Sequence, residues 1–229
     1  MGGRVAARRQ PPVRAAERSA PPAGEPAGVG VAAGGTGAGD TYLAAGAAEG
    51  HVRLRRWGDR TERPIRVWIA PGDAVPGWRP EFAAVVREAC EAWQAVGLPV
   101  RFAFVGAPED AEVQVTWTER LAERRAGVTH WATDVGGWLT QAHIEVATRA
   151  SDGLPADRAS VARIALHEVG HALGLEHSPD PGDAMAAWVR TGALTARDRA
   201  TARLLYTRPP GDVTAGDAAP APARAVASR

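Results

Sequence analysis

Residues 162–178 read ARIALHEVGHALGLEHS and contain HExxHxxGxxH with every fixed position filled. On a helix, His167 and His171 lie four residues apart and project from one face a turn apart, close enough for two imidazole nitrogens to meet one ion. Gly174 stands where such a helix would stop, because a residue without Cβ can take the left-handed conformation that turns the chain back. That turn brings His177 towards the same ion. Three protein nitrogens leave a fourth tetrahedral position for water, the open arrangement of a catalytic zinc and not the closed one of a structural zinc. Glu168, beside a ligand but pointing elsewhere, can reach that water as general base. The alternative is a solvated helix that holds these residues by chance. The chain has only 6 His and 26 Gly in 229 residues. At its own residue frequencies, chance assembly of the full pattern comes to roughly one in forty thousand. The stretch is therefore read as a metal site.

At these residues the chain resembles the metzincin zinc endopeptidases, and Ser178 after the third His makes it similar to their matrixin branch. Metzincins carry a methionine turn beneath the metal, and Met185 follows His177 in SPDPGDAMAAW at the spacing of the matrixins. A lone Met is ordinarily core filling, but beside the His triad it reads as that turn. The resemblance spans about residues 56–206 and is strongest over 162–185. It implies an α+β zincin: a small, mixed, twisted sheet with an edge strand for substrate, two long helices of which one carries the zinc motif, and a C-terminal helix.

The rest of the composition bounds the answer. At 229 residues there is room for one domain of ordinary size plus tails. A net charge of +1 argues against a dedicated binder of nucleic acid or of a membrane surface. No stretch reaches the apolar length of a membrane span. Cys90 is the only Cys, so no intramolecular disulfide can form, and metal is the expected staple. Residues 1–40 are Ala, Gly, Pro and Arg with almost no large apolar side chain, and cannot offset the entropy of ordering. They are expected to be a disordered arm, with Arg4, Arg8, Arg9, Arg14 and Arg18 as solvated charge. No apolar h-region follows them, so no secretory signal is visible in the chain as given, although the resemblance implies an extracellular or cell-envelope location. The catalytic domain is expected over residues 41–207 and a second disordered tail, rich in Pro and Ala, over 208–229.

Order is expected to begin within residues 41–57, where HVRLRRW alternates like a strand or an edge-clamped lead-in. PIRVWIA (64–70) is a clearer strand, with Ile65, Val67 and Ile69 on one face. Residues 78–97 place Phe82, Val85, Val86, Ala89, Trp93 and Val96 at helical spacing, with Pro80 near the start and Gly97 as C-cap. Cys90 lies near that apolar face and reads as core. PVRFAFV (99–105) and AEVQVTW (111–117) read as two more strands. The active-site helix is expected from near Ala156 to Gly174, burying Val161, Ile164, Ala165 and Leu166. Thr195 is the expected N-cap of a final helix that closes on Leu205 and Tyr206.

By the resemblance, residues 127–131 (GVTHW) and 142–146 (AHIEV) are the last two strands, the former being the edge that holds substrate. Its candidate contacts are Val128, Thr129, His130 and Trp131. An exposed edge offers unpaired backbone groups to which an extended peptide can add. In vertebrate matrixins a structural zinc lies in this region, and His130 and His143 match two of its ligands. The other two, from an upstream His-x-Asp, are missing from ERLAERRAG (119–127), and an acidic calcium-binding cluster is missing from EVATR (145–149). One catalytic Zn2+ is therefore expected, without a structural zinc or calcium. Met185 is followed by Ala-Ala-Trp instead of the usual Tyr-Pro, which alters the wall of the pocket after the cleaved bond. The matrixin cysteine switch has no counterpart.

The expected function is zinc-dependent hydrolysis of peptide bonds in extended polypeptides by a monomer, with Glu168 as general base. Two rivals belong to other classes. A binding module could keep fold and metal without turnover, against which the retention of Glu168 counts. A zinc hydrolase of cell-wall peptides or another amide would use the same site, which prescribes amide hydrolysis and not the identity of the amide.

Overall fold

The structure is a computed structural model that describes residues 41–44, 51–150 and 153–214. The arm expected over 1–40, and the expected tail from residue 215 onward, lie outside the described residues. Alternation of side chains sets the central sheet. In strand β2 (Arg60–Ile69), Ile65 and Val67 are almost fully buried while Arg66 between them is exposed. Strand β4 (Val113–Thr118) alternates along its whole length, with Val113, Val115 and Trp117 turned inwards. With β3 (Val100–Phe104), β5 (Gly127–Thr133) and β6 (Leu139–Ala147) they form one five-stranded sheet in the order β3-β2-β4-β6-β5. The pairs β2–β3, β2–β4 and β4–β6 are parallel, and only β5 runs antiparallel. The fold is thus α+β with a mixed sheet, and β5 is an edge.

Strand β2 starts at Arg60, earlier than the PIRVWIA pattern indicates. Pro64 cannot donate to a ladder, and it sits where the pairing with β3 shifts register between Arg60 and Ile65. Helix α1 (Glu81–Gln94) supplies the crossover from β2 to β3. It buries Phe82, Val85, Val86, Ala89, Cys90 and Trp93, as their helical spacing requires. Burying each of the larger of these side chains is worth about 1.5–3 kcal/mol. Cys90 is 2% exposed, and burial pushes its thiol up to about 12. Gly97 closes the segment with φ +83.

Helix α2 (Arg158–Ala172) packs on α1, and the indole N–H of Trp93 donates to Leu166 O at 2.8 Å, so the buried ring leaves no orphan donor. The helix begins slightly later than expected. Asp157 is in extended conformation and its carboxylate accepts from Ser160 N at 2.7 Å, which defines the N-cap. Helix α3 (Ala196–Thr207) begins with a reciprocal capping box between Thr195 and Asp198. Among the described residues no helix is long and apolar enough to cross a membrane.

One expectation is corrected by the structure. Residues 208–229 read as an unstructured tail, but strand β7 (Gly211–Thr214) pairs antiparallel with β1 (His51–Leu54), Leu54 opposite Gly211 and His51 opposite Thr214. The segment GDVT mixes strand-disfavouring Gly and Asp with strand-favouring Val and Thr and is too short to signal a strand, and its partner lies far upstream in the chain. The turn between β5 and β6 seals this pair. Gly137 has φ +85, and a Cβ there would lie 2.8 Å from Gly211 N and 3.2 Å from Leu54 O.

Truncation after Pro210, which removes β7, should leave a folded protein that is less stable than one truncated after Thr214. The expected loss is about 1–2 kcal/mol, or about 3–6 °C in Tm for a domain of this size. Thermal unfolding of the two truncations reads this directly. Equal midpoints would show that the β1–β7 pair contributes nothing to the domain.

Candidate metal centre

The geometry starts from α2. His167 and His171 stand one turn apart with ring centroids 4.5 Å from each other, and each ring is fixed by its Nδ1. His167 Nδ1 lies 2.8 Å from Ala184 O and His171 Nδ1 lies 2.7 Å from Leu175 O. A carbonyl can only accept, so Nδ1 carries the proton in both rings and Nε2 carries a lone pair. Burial pushes the His167 imidazole far below its ordinary range, helped by His171, and pushes His171 down to about 3, helped by His177. Both rings are therefore neutral, which is the ligating form.

The two Nε2 atoms are 3.0 Å apart. Neither has a proton to give the other, so the contact sets lone pair against lone pair unless a cation lies between them. Two nitrogens on a tetrahedral zinc are separated by about 3.3 Å, close to what the rings already adopt. His177 completes the set, with its ring centroid 5.3 Å from that of His167 and 4.8 Å from that of His171, and the ligand atoms of all three within 4.8 Å of one another. The donor set fits zinc.

The loop that delivers His177 is held from several sides. Gly174 has φ +101, and its N–H donates to His171 O at 2.9 Å while Leu175 N donates to Gly170 O at 3.1 Å. This pair of bonds closes a helix in the Schellman manner. A Cβ on Gly174 would sit 2.0 Å from Arg55 O, so the site admits glycine for space as well as for conformation. The remaining carbonyls of the helix end also find donors: Trp57 Nε1 reaches Ala172 O at 2.8 Å and Tyr206 Oη reaches Leu173 O at 3.1 Å. Arg55 pairs with Glu176, next to the third ligand, and stacks over the Trp131 ring at 4.7 Å.

Met185 is fully buried beneath the triad. Gly170 is the reason it fits, since a Cβ there would lie 2.3 Å from Met185 Sδ and 2.8 Å from Trp93 Cζ2. The turn that carries Met185 hangs on one buried carboxylate. Asp198 accepts from Ala184 N at 2.9 Å, from Met185 N at 3.3 Å, from Thr195 N at 2.9 Å and from the Tyr42 hydroxyl at 2.9 Å. Asp183 beside it accepts from the Ser178 hydroxyl and from Arg197 Nε. Burial, and then Asp198, push the Tyr42 hydroxyl far up, so it stays a donor. Sequence reading singled out none of Asp198, Asp183, Tyr42 or Gly170. Two of them left a signal: Gly170 as a glycine inside a helix, which costs about 1 kcal/mol unless packing requires it, and Asp198 as the acidic residue three places after the cap Thr195.

Glu168 is 4% exposed and faces the sheet edge, not the triad's carbonyl partners. Burial pushes its carboxyl up to about 7, against the opposing pull of the Thr129 hydroxyl and of Arg125. The four residues expected to meet substrate divide by the alternation of β5. Thr129 and Trp131 turn towards α2 and the ligand loop, Thr129 to Glu168 and Trp131 to Arg55. Val128, which is buried, and His130 take the other face. His130 stands directly opposite His143 in the ladder, and His143 Nε2 lies 2.8 Å from Thr116 Oγ1. Among the described residues, the triad is the one group of three or more His, Cys, Asp or Glu whose ligand atoms converge.

A model of the matrixin family matches residues 76–207, from just before α1 to the end of α3. A shorter stretch of 32 residues is 59% identical to a protein of Invertebrate iridescent virus 3 described as probable matrix metalloproteinase 095L. That match covers 14% of this chain and 9% of the viral protein.

Chain purified without added metal should carry one zinc per molecule by elemental analysis, and His171→Ala should carry none. Two tightly bound ions would point to a second set built on His130 and His143. Gly174→Ala should also lose zinc, because the added methyl and the left-handed backbone together displace the loop that holds His177.

Proposed function

This chain belongs to the matrixin family, and from that premise we propose that it is a zinc-dependent endopeptidase acting on extended polypeptides. One observation carries the reading. The carboxylate of Glu168, the residue next to the ligand His167, is hydrogen-bonded to Thr129 on the inner face of the edge strand β5, so a base is tied to the strand to which a peptide would add. A binding module would have no use for it.

Zinc held by His167, His171 and His177 would supply a Lewis acid that polarises the scissile carbonyl and acidifies a water. The chain's own groups do the rest. The open edge of β5 pairs with substrate main chain, which fixes the register of the scissile bond without demanding particular side chains. Glu168 takes the proton of the attacking water and returns it to the leaving amine nitrogen as the C–N bond breaks. Burial keeps the two imidazoles neutral, and because each Nδ1–H is committed to a carbonyl, Nε2 is the atom that offers a lone pair. Trp188, half exposed, stands three residues after Met185, in the segment that by the resemblance borders the region receiving the residue after the cleaved bond, and would contribute to preference there. The resemblance also supports an extracellular or cell-envelope place of action, which fractionation of the native host would read.

Glu168→Gln should retain its zinc and lose at least about three orders of magnitude in turnover, since the amide keeps the shape but cannot accept the proton. The substrate class is tested by digesting a denatured protein mixture, with and without chelator, and reading the products by mass spectrometry. Chelator-sensitive internal cleavage at many sites is the expected result. Products only from cell-wall peptides would assign the site to a different amide, and no products from zinc-loaded chain would leave the binding-module reading standing.

A further inference from the structure

Thr129 is 3% exposed on the inner face of β5, where its hydroxyl must find an acceptor. Two are within reach, Glu168 O at 3.1 Å and Glu168 Oε2 at 2.6 Å. A hydroxyl has one proton, and the shorter, charge-assisted contact is the stronger. The proton therefore goes to the carboxylate.

The neighbouring inward position of the same strand acts on the other carboxylate oxygen. A Cβ at Gly127 would come within 2.5 Å of Glu168 Oε1, 2.8 Å of Glu168 Cγ and 2.6 Å of Ile164 Cγ2. So β5 shapes Glu168 twice, with a donor at 129 that anchors Oε2 and with empty space at 127 that admits Oε1. Of the two oxygens, Oε1 is the one left to receive a proton from water.

The geometry points to Thr129 as the positioning residue of the general base, which locks Glu168 in one orientation and registers it to the strand that grips substrate. The inference rests on the endopeptidase reading above. Its physical content is that binding strand and base are joined by one hydrogen bond, so a peptide seated on β5 meets a carboxylate already aimed. Holding a reacting group in place in this way acts on turnover and not on affinity.

Three variants separate this role from packing. Thr129→Val keeps the shape and removes the hydroxyl, Thr129→Ser keeps the hydroxyl and removes the methyl, and Thr129→Ala repeats the loss with less bulk should the Val variant fail to fold. Steady-state kinetics on a peptide cleaved by wild-type chain should show kcat down about tenfold to a hundredfold in Val or Ala, with KM within about twofold, and Ser within about threefold of wild type. Zinc affinity, measured by competition with a chelating dye, should not change. A crystal structure of metal-free Thr129→Val should show the Glu168 carboxyl rotated from its wild-type position. Full kcat in Val or Ala, or a loss in Ser as large as in Val, would overturn the assignment. If wild-type zinc-loaded chain cleaves no peptide, the endopeptidase reading has failed, and the carboxyl rotation in the metal-free variant still decides whether Thr129 orients Glu168.

Discussion

Two imidazole nitrogens 3.0 Å apart, both unprotonated because the carbonyls behind the rings hold the single ring proton on Nδ1, are the constraint around which this protein is arranged. Such a pair is unfavourable without a cation, and the rest of the domain keeps it in place. The partner of His167 is Ala184 O, in the turn beneath the metal, and the N–H of that same residue hangs on Asp198. Asp198 in turn belongs to α3 and also receives the hydroxyl of Tyr42, near the start of the described chain. An unbroken run of hydrogen bonds thus leads from the first ligand through the methionine turn to two distant segments. A carboxylate buried to 0% exposure is tolerable only because several donors converge on it.

The second layer of support is steric and uses glycine for what it lacks. At Gly170 a side chain would collide with Met185 and Trp93, and at Gly174 it would collide with Arg55 O. Gly174 is the fixed glycine of HExxHxxGxxH and Gly170 fills one of its open positions, so in this chain the stretch serves packing as well as ligation. Gly127 plays the same part for the base from across the gap. Helix, turn and edge strand can approach closely enough to share one site because three methyl groups are absent.

Much of this was legible in the sequence, for identifiable reasons. The triad, Glu168 and Met185 stand at fixed spacings on or beside one helix, and local spacing survives folding. Alternation revealed β2 and β4, and apolar periodicity revealed α1, because each buries one face against the core. Thr195 could be read as a cap because capping is a local bond. The wider role of Asp198 could not, since it lies in TARDRATARLLY, a helix so polar that its acidic residue looks like surface charge, and beyond its local capping bonds to Thr195 its donors, Tyr42, Ala184 and Met185, come from elsewhere in the chain. β7 was missed for a related reason: four residues, two of them Gly and Asp, are too short a run to signal a strand and form one beside β1. The inward turn of Thr129 was likewise hidden, because a strand's sequence does not say which of its faces meets the helix.

Cys90 carries a last consequence. It is the chain's single thiol, it is buried in the core on α1, and burial pushes it up to about 12, so a reagent reaches a reactive sulfur only when local opening exposes it. The protein thus contains its own gauge of internal motion. The rate at which that one sulfur is alkylated counts how often the core around α1 opens, in a molecule with no other thiol to confuse the reading.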